Sequence, residues 1–306
     1  MRKPAFAGAL AVGALGLNAL VWGVSWWPLR LLEQWGVSAV WATALVYALA
    51  AAAVLAWQPR AWSQMLANPG LWVLAMASGA TNAAFNLGVT QGDVVRVVLL
   101  FYLMPIWAAL LARALLGERP GASGWLRLGL ALGGAMIVLW PRDGGWPWPR
   151  TLPDWLGVAG GFFFALNNVL LRKYADRPAA ARALAMFAGG PLVAGSLAAL
   201  LLVFHLGPGL PPPAAGWVLG VAVLSLAFLA ANLGLQFGTA RLTAAMAAVA
   251  MTTEVVFATV SSILGGVATL QRQTVFGGSL IVLAALLAGV QFPRRRGPGR
   301  FHDDSA

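Results

Sequence analysis

The chain contains no cysteine in its 306 residues. Disulfides, thiol catalysis and cysteine-based metal centres are therefore excluded. Charge is scarce as well. Asp, Glu, Lys and Arg make up 9% of the residues, whereas a soluble domain carries about 25%. No polar stretch is long enough to form a separate soluble domain. The two histidines, His205 and His302, lack the neighbours of a metal site. No Gly-x4-Gly-Lys-Ser/Thr loop is present to couple the chain directly to ATP. What remains is apolar: 60% of the residues are hydrophobic, with 15 tryptophans and 36 glycines. Only lipid can absorb so much apolar surface, and aromatic belts and glycine are both features of membrane helices. The net charge of +11 is scattered over helix ends and forms no patch for nucleic acid.

A membrane-spanning helix needs about 20 apolar residues. Ten stretches qualify: 5–27, 37–57, 70–90, 94–116, 122–140, 153–174, 182–206, 214–237, 242–266 and 273–292. Turn signals such as Gln58-Pro59-Arg60 and Gly207-Pro208-Gly209 separate them. The start, Arg2-Lys3 before an apolar run, imitates a signal peptide, but the run is long enough to be a retained first helix. With both termini in the cytoplasm, 15 of the 20 basic residues fall inside. Five fall outside: Arg30, Arg96, Arg142, Arg150 and Arg272. The positive-inside rule prefers that orientation. The expected location is a prokaryotic inner (plasma) membrane, crossed many times.

The chain also repeats itself. Asn82, Asn86 and Gly88 recur as Asn232, Gln236 and Gly238 at an offset of 150. Pro105 answers Val255 at that offset, and Gly129 answers Gly278 at 149. Ser25 answers Asn167 and Arg30 answers Arg172 at 142. Each unit holds an odd number of spans, so the copies point in opposite directions. The expected fold is an all-α integral membrane protein of ten transmembrane helices in two inverted five-helix repeats. The repeats cover residues 1–145 and 146–293, and a basic, polar cytoplasmic tail covers 294–306.

Polar residues inside the spans mark the candidate site. Glu254 is the one carboxylate near the middle of a span, and such an acid normally faces a cavity or a partner. It reads as a proton-coupling site or a counter-charge, or else as an interhelical hydrogen-bonding group. Asn82 and Asn86 share one helical face, as do Asn232 and Gln236. These amides suit a polar or zwitterionic substrate, or serve as glue between helices. Asn82 and Asn232 are expected to meet near the pseudo-two-fold axis. Asn18 and Trp22 on the first span, and Phe164, Asn167 and Asn168 on the sixth, set aromatics beside amides. Tyr102 on the fourth span reads as lining or as packing. Trp26 and Trp27, just before Pro28, read as interfacial belt residues. Asp93 and Arg96 form a candidate outer gate, with Arg96 alternatively snorkelling to the headgroups. Pro105 interrupts the fourth span, and Gly129-xxx-Gly133 permits a close helix contact.

Tyr102-Leu103-Met104-Pro105, followed by Leu115-Leu116-Gly117-Glu118, resembles the signature of EamA-type proteins in the drug/metabolite transporter superfamily. Trp22-Gly23 resembles that family's early tryptophan-glycine. The second half departs from the pattern, with Val255 in place of the proline and Gly265-Gly266-Val267 in place of the closing glycine-glutamate. The resemblance implies a ten-helix carrier with a central cavity between its halves.

The function expected is secondary active transport by alternating access, exporting a small amphiphilic solute such as an amino acid or related metabolite. Efflux of drug-like cations by proton antiport is the alternative within that class, and an intramembrane lipid-modifying enzyme the alternative outside it. The chain is read as a carrier and not an enzyme, with no cofactor and no metal. Its partners are the substrate, the bilayer and, as a candidate coupling ion, protons. It works as a monomer or a homodimer.

Overall fold

Long runs of alanine, leucine and valine make helices here because a helix satisfies every backbone group within itself, as hydrocarbon demands. A computed structural model describes residues 3–117, 122–140, 148–239, 241, 244–269 and 271–289. Among them the helices are α1 (Lys3–Val24), α2 (Trp26–Gln34), α3 (Ala39–Trp57), α4 (Arg60–Leu66), α5 (Gly70–Gln91), α6 (Val94–Phe101) and α7 (Met104–Leu116). They continue as α8 (Ala122–Leu139), α9 (Leu152–Lys173), α10 (Ala179–Gly190), α11 (Ser196–Val203), α12 (Ala215–Thr239), α13 (Ala244–Leu264) and α14 (Arg272–Gly289). A π turn, Pro191–Gly195, joins α10 to α11. No strand occurs among the described residues. The tail 294–306 lies outside them.

Among the described residues, six helices or helix pairs are long and apolar enough to cross a membrane: Gly8–Gln34, Ala39–Trp57, Val94–Leu116, Leu152–Lys173, Ala179–Val203 and Ala215–Leu235. Shorter apolar stretches cover Gly124–Leu139 and Thr253–Leu264. α5 is long enough but carries Thr81, Asn82, Asn86 and Thr90, all buried. It is shielded by protein, so it needs less apolar surface of its own.

Three runs expected as continuous helices are interrupted. At Pro105 the missing N–H leaves the Phe101 carbonyl without its helical donor. Tyr102 and Leu103 then form a tightened turn, with φ/ψ of −69°/5° and −69°/−5°. At Ser25 the hydroxyl donates to the Trp22 carbonyl at 2.8 Å, three residues before Pro28. At Pro191 the ladder widens into the π turn, a feature frequent at functional positions.

α1 packs on α12 and α13, α5 on α9 and α10, α9 on α6 and α7, α3 on α10, and α8 on α14. Glycines allow the tightest crossings, because without a Cβ the backbones approach closely. Gly79 lies against Gly189 where α5 crosses α10, and Gly134 against Gly277 where α8 crosses α14. Within one chain Gly129-xxx-Gly133 makes no close helix contact, because a Cβ at either position would meet nothing within 4 Å. The neighbouring glycine does the packing: a Cβ at Gly134 would stand 2.5 Å from the Gly277 carbonyl oxygen. Gly134→Leu should therefore cost about 1–3 kcal/mol as an overpacked contact, while Gly133→Leu leaves the melting temperature in detergent unchanged. Equal melting of the two variants would refute this α8–α14 crossing.

A chain of rings fills the middle of the bundle. Phe187 lies 6.1 Å from Tyr47, Tyr47 lies 5.7 Å from Phe228, and Phe228 stacks on Trp22 at 4.6 Å. Trp22 meets Phe85 edge-on at 5.9 Å, Phe85 meets Phe101 at 5.0 Å, and Phe101 meets Phe164 at 5.3 Å. Seven helices each contribute one ring. Edge-on and offset contacts of this kind add to the burial of the rings themselves.

Candidate functional site

The break after α6 places Tyr102 against α13. Its hydroxyl lies 2.9 Å from the Met251 carbonyl oxygen and 3.1 Å from Glu254 Oε2. Tyr102 is 1% exposed and Glu254 6%. Among the described residues no Lys, Arg or His pairs with Glu254. A phenol has one hydrogen. Donated to the nearer Met251 oxygen, it leaves the Tyr102 oxygen as an acceptor. The carboxyl of Glu254, when protonated, supplies the donor that this arrangement needs. Pro105 is thus linked to the chemistry: it ends α6 where Tyr102 has to turn. The freed Phe101 carbonyl faces Gly161, where a Cβ would collide with it.

Among the described residues, no side-chain hydrogen bond joins two of the buried amides. Asn18 is 0% exposed and donates through Nδ2 to the Ala231 carbonyl at 2.9 Å, tying α1 to α12. Asn86 donates to Thr43 Oγ1 at 3.0 Å, tying α5 to α3. Asn232 is buried and donates to the Phe228 carbonyl of its own helix at 3.1 Å. Asn82 is buried on α5. No hydrogen bond joins Asn82 to Asn232 among the described residues; Trp22 touches Phe85 and Phe228 on the two helices, α5 and α12, that carry them. Asn167 is buried but Asn168 is exposed, since adjacent helical residues point about 100° apart. The side chain of Gln236 lies outside the described residues.

The Oδ1 atoms of Asn18, Asn86 and Asn167 are buried and accept no hydrogen bond from the described residues. Unused buried acceptors are costly, and they suit a ligand rich in N–H donors. A cleft of about 630 Å³ opens at the bundle end where α2 ends and α6 begins. Arg30, Glu33, Thr90, Gly92 and Asp93 line it. Arg30 is anchored there by the Val89 and Gly92 carbonyls, at 3.1 and 2.6 Å.

The Asp93–Arg96 pairing needs correction. Asp93 caps α6 by accepting the backbone N–H of Arg96 at 2.8 Å. The Arg96 side chain turns to Asp154 on α9 instead. Nε lies 2.6 Å from Oδ1 and Nη2 3.1 Å from Oδ2, while Nη1 donates to the Val138 carbonyl of α8 at 2.9 Å. Asp154 also closes a capping box with Thr151. One bidentate pair thereby ties α6, α8 and α9 together. Trp26 needs correction too: it is 4% exposed and donates to Ser261 Oγ at 2.9 Å, so it is no belt residue. Trp27, 63% exposed, fits the belt.

Three residues of this region were not foreseen: Asp154, Thr43 and Ser261. Only Asp154 left a local signal, the Thr151-x-x-Asp154 cap.

No curated protein matches the chain. A solved structure described only as the crystal structure of a protein is similar over 96% of this chain and 99% of its own, with 19% identity and a TM-score of 0.58. At that identity the likeness speaks for the fold alone. Residues 9–140 match the family model described as the EamA-like transporter family, so this part of the chain is similar to that family.

Proposed function

We propose that this protein is a secondary active transporter that exports a small amphiphilic solute, such as an amino acid or related metabolite, by alternating access. It crosses the inner membrane of a prokaryotic cell ten times, with both termini cytoplasmic. The spans are α1/α2, α3, α5, α6/α7 and α8, then α9, α10/α11, α12, α13 and α14, as two inverted units of five. The pairing of helices supports the duplication. α1 packs on α12 as its counterpart α9 packs on α5, and α1 packs on α13 as α9 packs on α6 and α7. α3 with α10, and α8 with α14, pair with their own counterparts. In this orientation the Arg96–Asp154 tie closes the outer end.

The observation that carries the proposal is the buried Tyr102–Glu254 contact, because it joins the broken span of one unit to the matching span of the other. A proton leaving Glu254 removes a donor from that seam and creates a buried charge that needs a new partner. Either a substrate cation or movement of the units answers that need. This is how one acid couples a proton to a change of access.

A second reading, efflux of drug-like cations by proton antiport, draws on the same site. Its three unpartnered asparagine oxygens are acceptors, and its walls are aromatic. The two readings part in proteoliposomes holding purified protein under an imposed pH gradient. Efflux of a zwitterionic amino acid, unaffected by a permanently charged aromatic cation, supports the first. Efflux of the cation itself supports the second. No flux of any solute from a broad panel overturns both.

A further inference from the structure

A groove of about 650 Å³ runs between α1 and α12 on the outer wall of the bundle, lined by Ala9, Gly13, Leu17, Leu233, Gly234 and Phe237 among others. Its floor is the close contact of Gly234 with the Ala14 carbonyl, where a Cβ would stand 2.9 Å away. Its walls are apolar and face outward, Leu17 being 46% and Leu233 48% exposed. A Cβ at Gly13 would meet nothing within 4 Å, so the trough is open at that position. At its deep end Asn18 crosses to Ala231. At its mouth sits Arg241, whose guanidinium lies 3.8 Å from the centre of the Phe237 ring and donates to the Phe237 carbonyl at 3.1 Å. No carboxylate pairs with Arg241 among the described residues.

We infer that this groove is a binding site for one anionic phospholipid, with an acyl chain along the α1–α12 trough and the phosphate on Arg241. The charge sits where a headgroup must sit if a chain fills the trough. The groove has no polar side chain that a polar ligand would use. With the termini cytoplasmic, Arg241 faces the inner leaflet, where anionic headgroups attract basic residues. The site lies on the seam between α1 of one unit and α12 of the other, so the lipid braces the contact that Asn18 ties.

The absence of native cysteine allows a direct test. A fluorophore is placed on Leu17→Cys, in the groove, and separately on Leu49→Cys, an exposed position on α3. Each protein is put in nanodiscs holding a minor fraction of brominated-tail phosphatidylglycerol or phosphatidylcholine. The expected result at Leu17 is stronger quenching by phosphatidylglycerol, a preference of roughly fivefold in occupancy for one basic residue. It should disappear with Arg241→Gln and be absent at Leu49. Gly13→Leu, which fills the trough, should lower quenching at Leu17 by both lipids. A preference that survives Arg241→Gln, equal behaviour at Leu49, or quenching unchanged by Gly13→Leu would overturn the inference. The readout needs no transport, so it stands or falls apart from the proposed carrier function.

Discussion

Glu254→Gln is expected to abolish transport driven by a pH gradient while leaving the folded protein intact. The amide of glutamine can donate to the Tyr102 oxygen as a protonated carboxyl would, so the 3.1 Å contact and the link to Met251 are kept. What glutamine cannot do is release a proton. In proteoliposomes the pH-driven flux should fall to that of protein-free vesicles, and any residual downhill exchange should lose its pH dependence. Tyr102→Phe is a different kind of change. It leaves the Met251 carbonyl and Glu254 without their shared partner, a cost of about 1–3 kcal/mol for buried polar groups. Transport should persist there with an altered pH profile, since the titrating group remains. If Glu254→Gln carried full pH-driven flux with the normal profile, Glu254 would be a hydrogen-bonding strut between helices. The melting temperature decides whether a loss of flux is specific, because the isosteric change should shift it little.

The helices were legible because lipid imposes a simple demand, an apolar run of sufficient length. The break at Pro105 was legible for an equally local reason, a missing N–H. The π turn at Pro191 was not, although Gly189-Gly190-Pro191 offered a hint. A proline in a span bends, breaks or widens the helix according to what lies beside it, and Gly79 across the crossing is not a local fact. The site divided in the same way. Glu254 stood out because a mid-span acid is rare, and Tyr102 because it opens a motif. Their contact, spanning 152 positions, had no local sign. Asp93 was the natural partner for Arg96 at a separation of three. The cap consumes it, and Asp154, the partner across the bundle, shows in the sequence only as a helix cap. The amides were found individually, but sequence symmetry could not reveal that Asn18 bonds to Ala231 and Asn86 to Thr43 across helix contacts.

That misread arginine leads to the second large effect. Arg96→Ala removes both charged hydrogen bonds to Asp154, whose side chain is 3% exposed. The carboxylate keeps the backbone N–H groups of Arg150 and Thr151, at 3.1 and 3.4 Å. Breaking a buried pair costs 3–5 kcal/mol in general. Because the Arg96 side chain is 31% exposed, the loss here should be nearer roughly 2–3 kcal/mol. A double-mutant cycle with Asp154→Asn should give a coupling of at least about 1 kcal/mol, as expected for residues sharing hydrogen bonds. The same tie has a conformational consequence. It joins α6 to α9, so removing it favours states in which that end opens. Val97 lies beneath it, 1% exposed and packed against Gly157. A single cysteine at Val97 should react several-fold faster with a membrane-impermeant thiol reagent when Arg96 is alanine. Equal rates with a coupling near zero would make the pair a surface ornament; faster labelling together with preserved secondary structure would identify it as the latch of the outer gate.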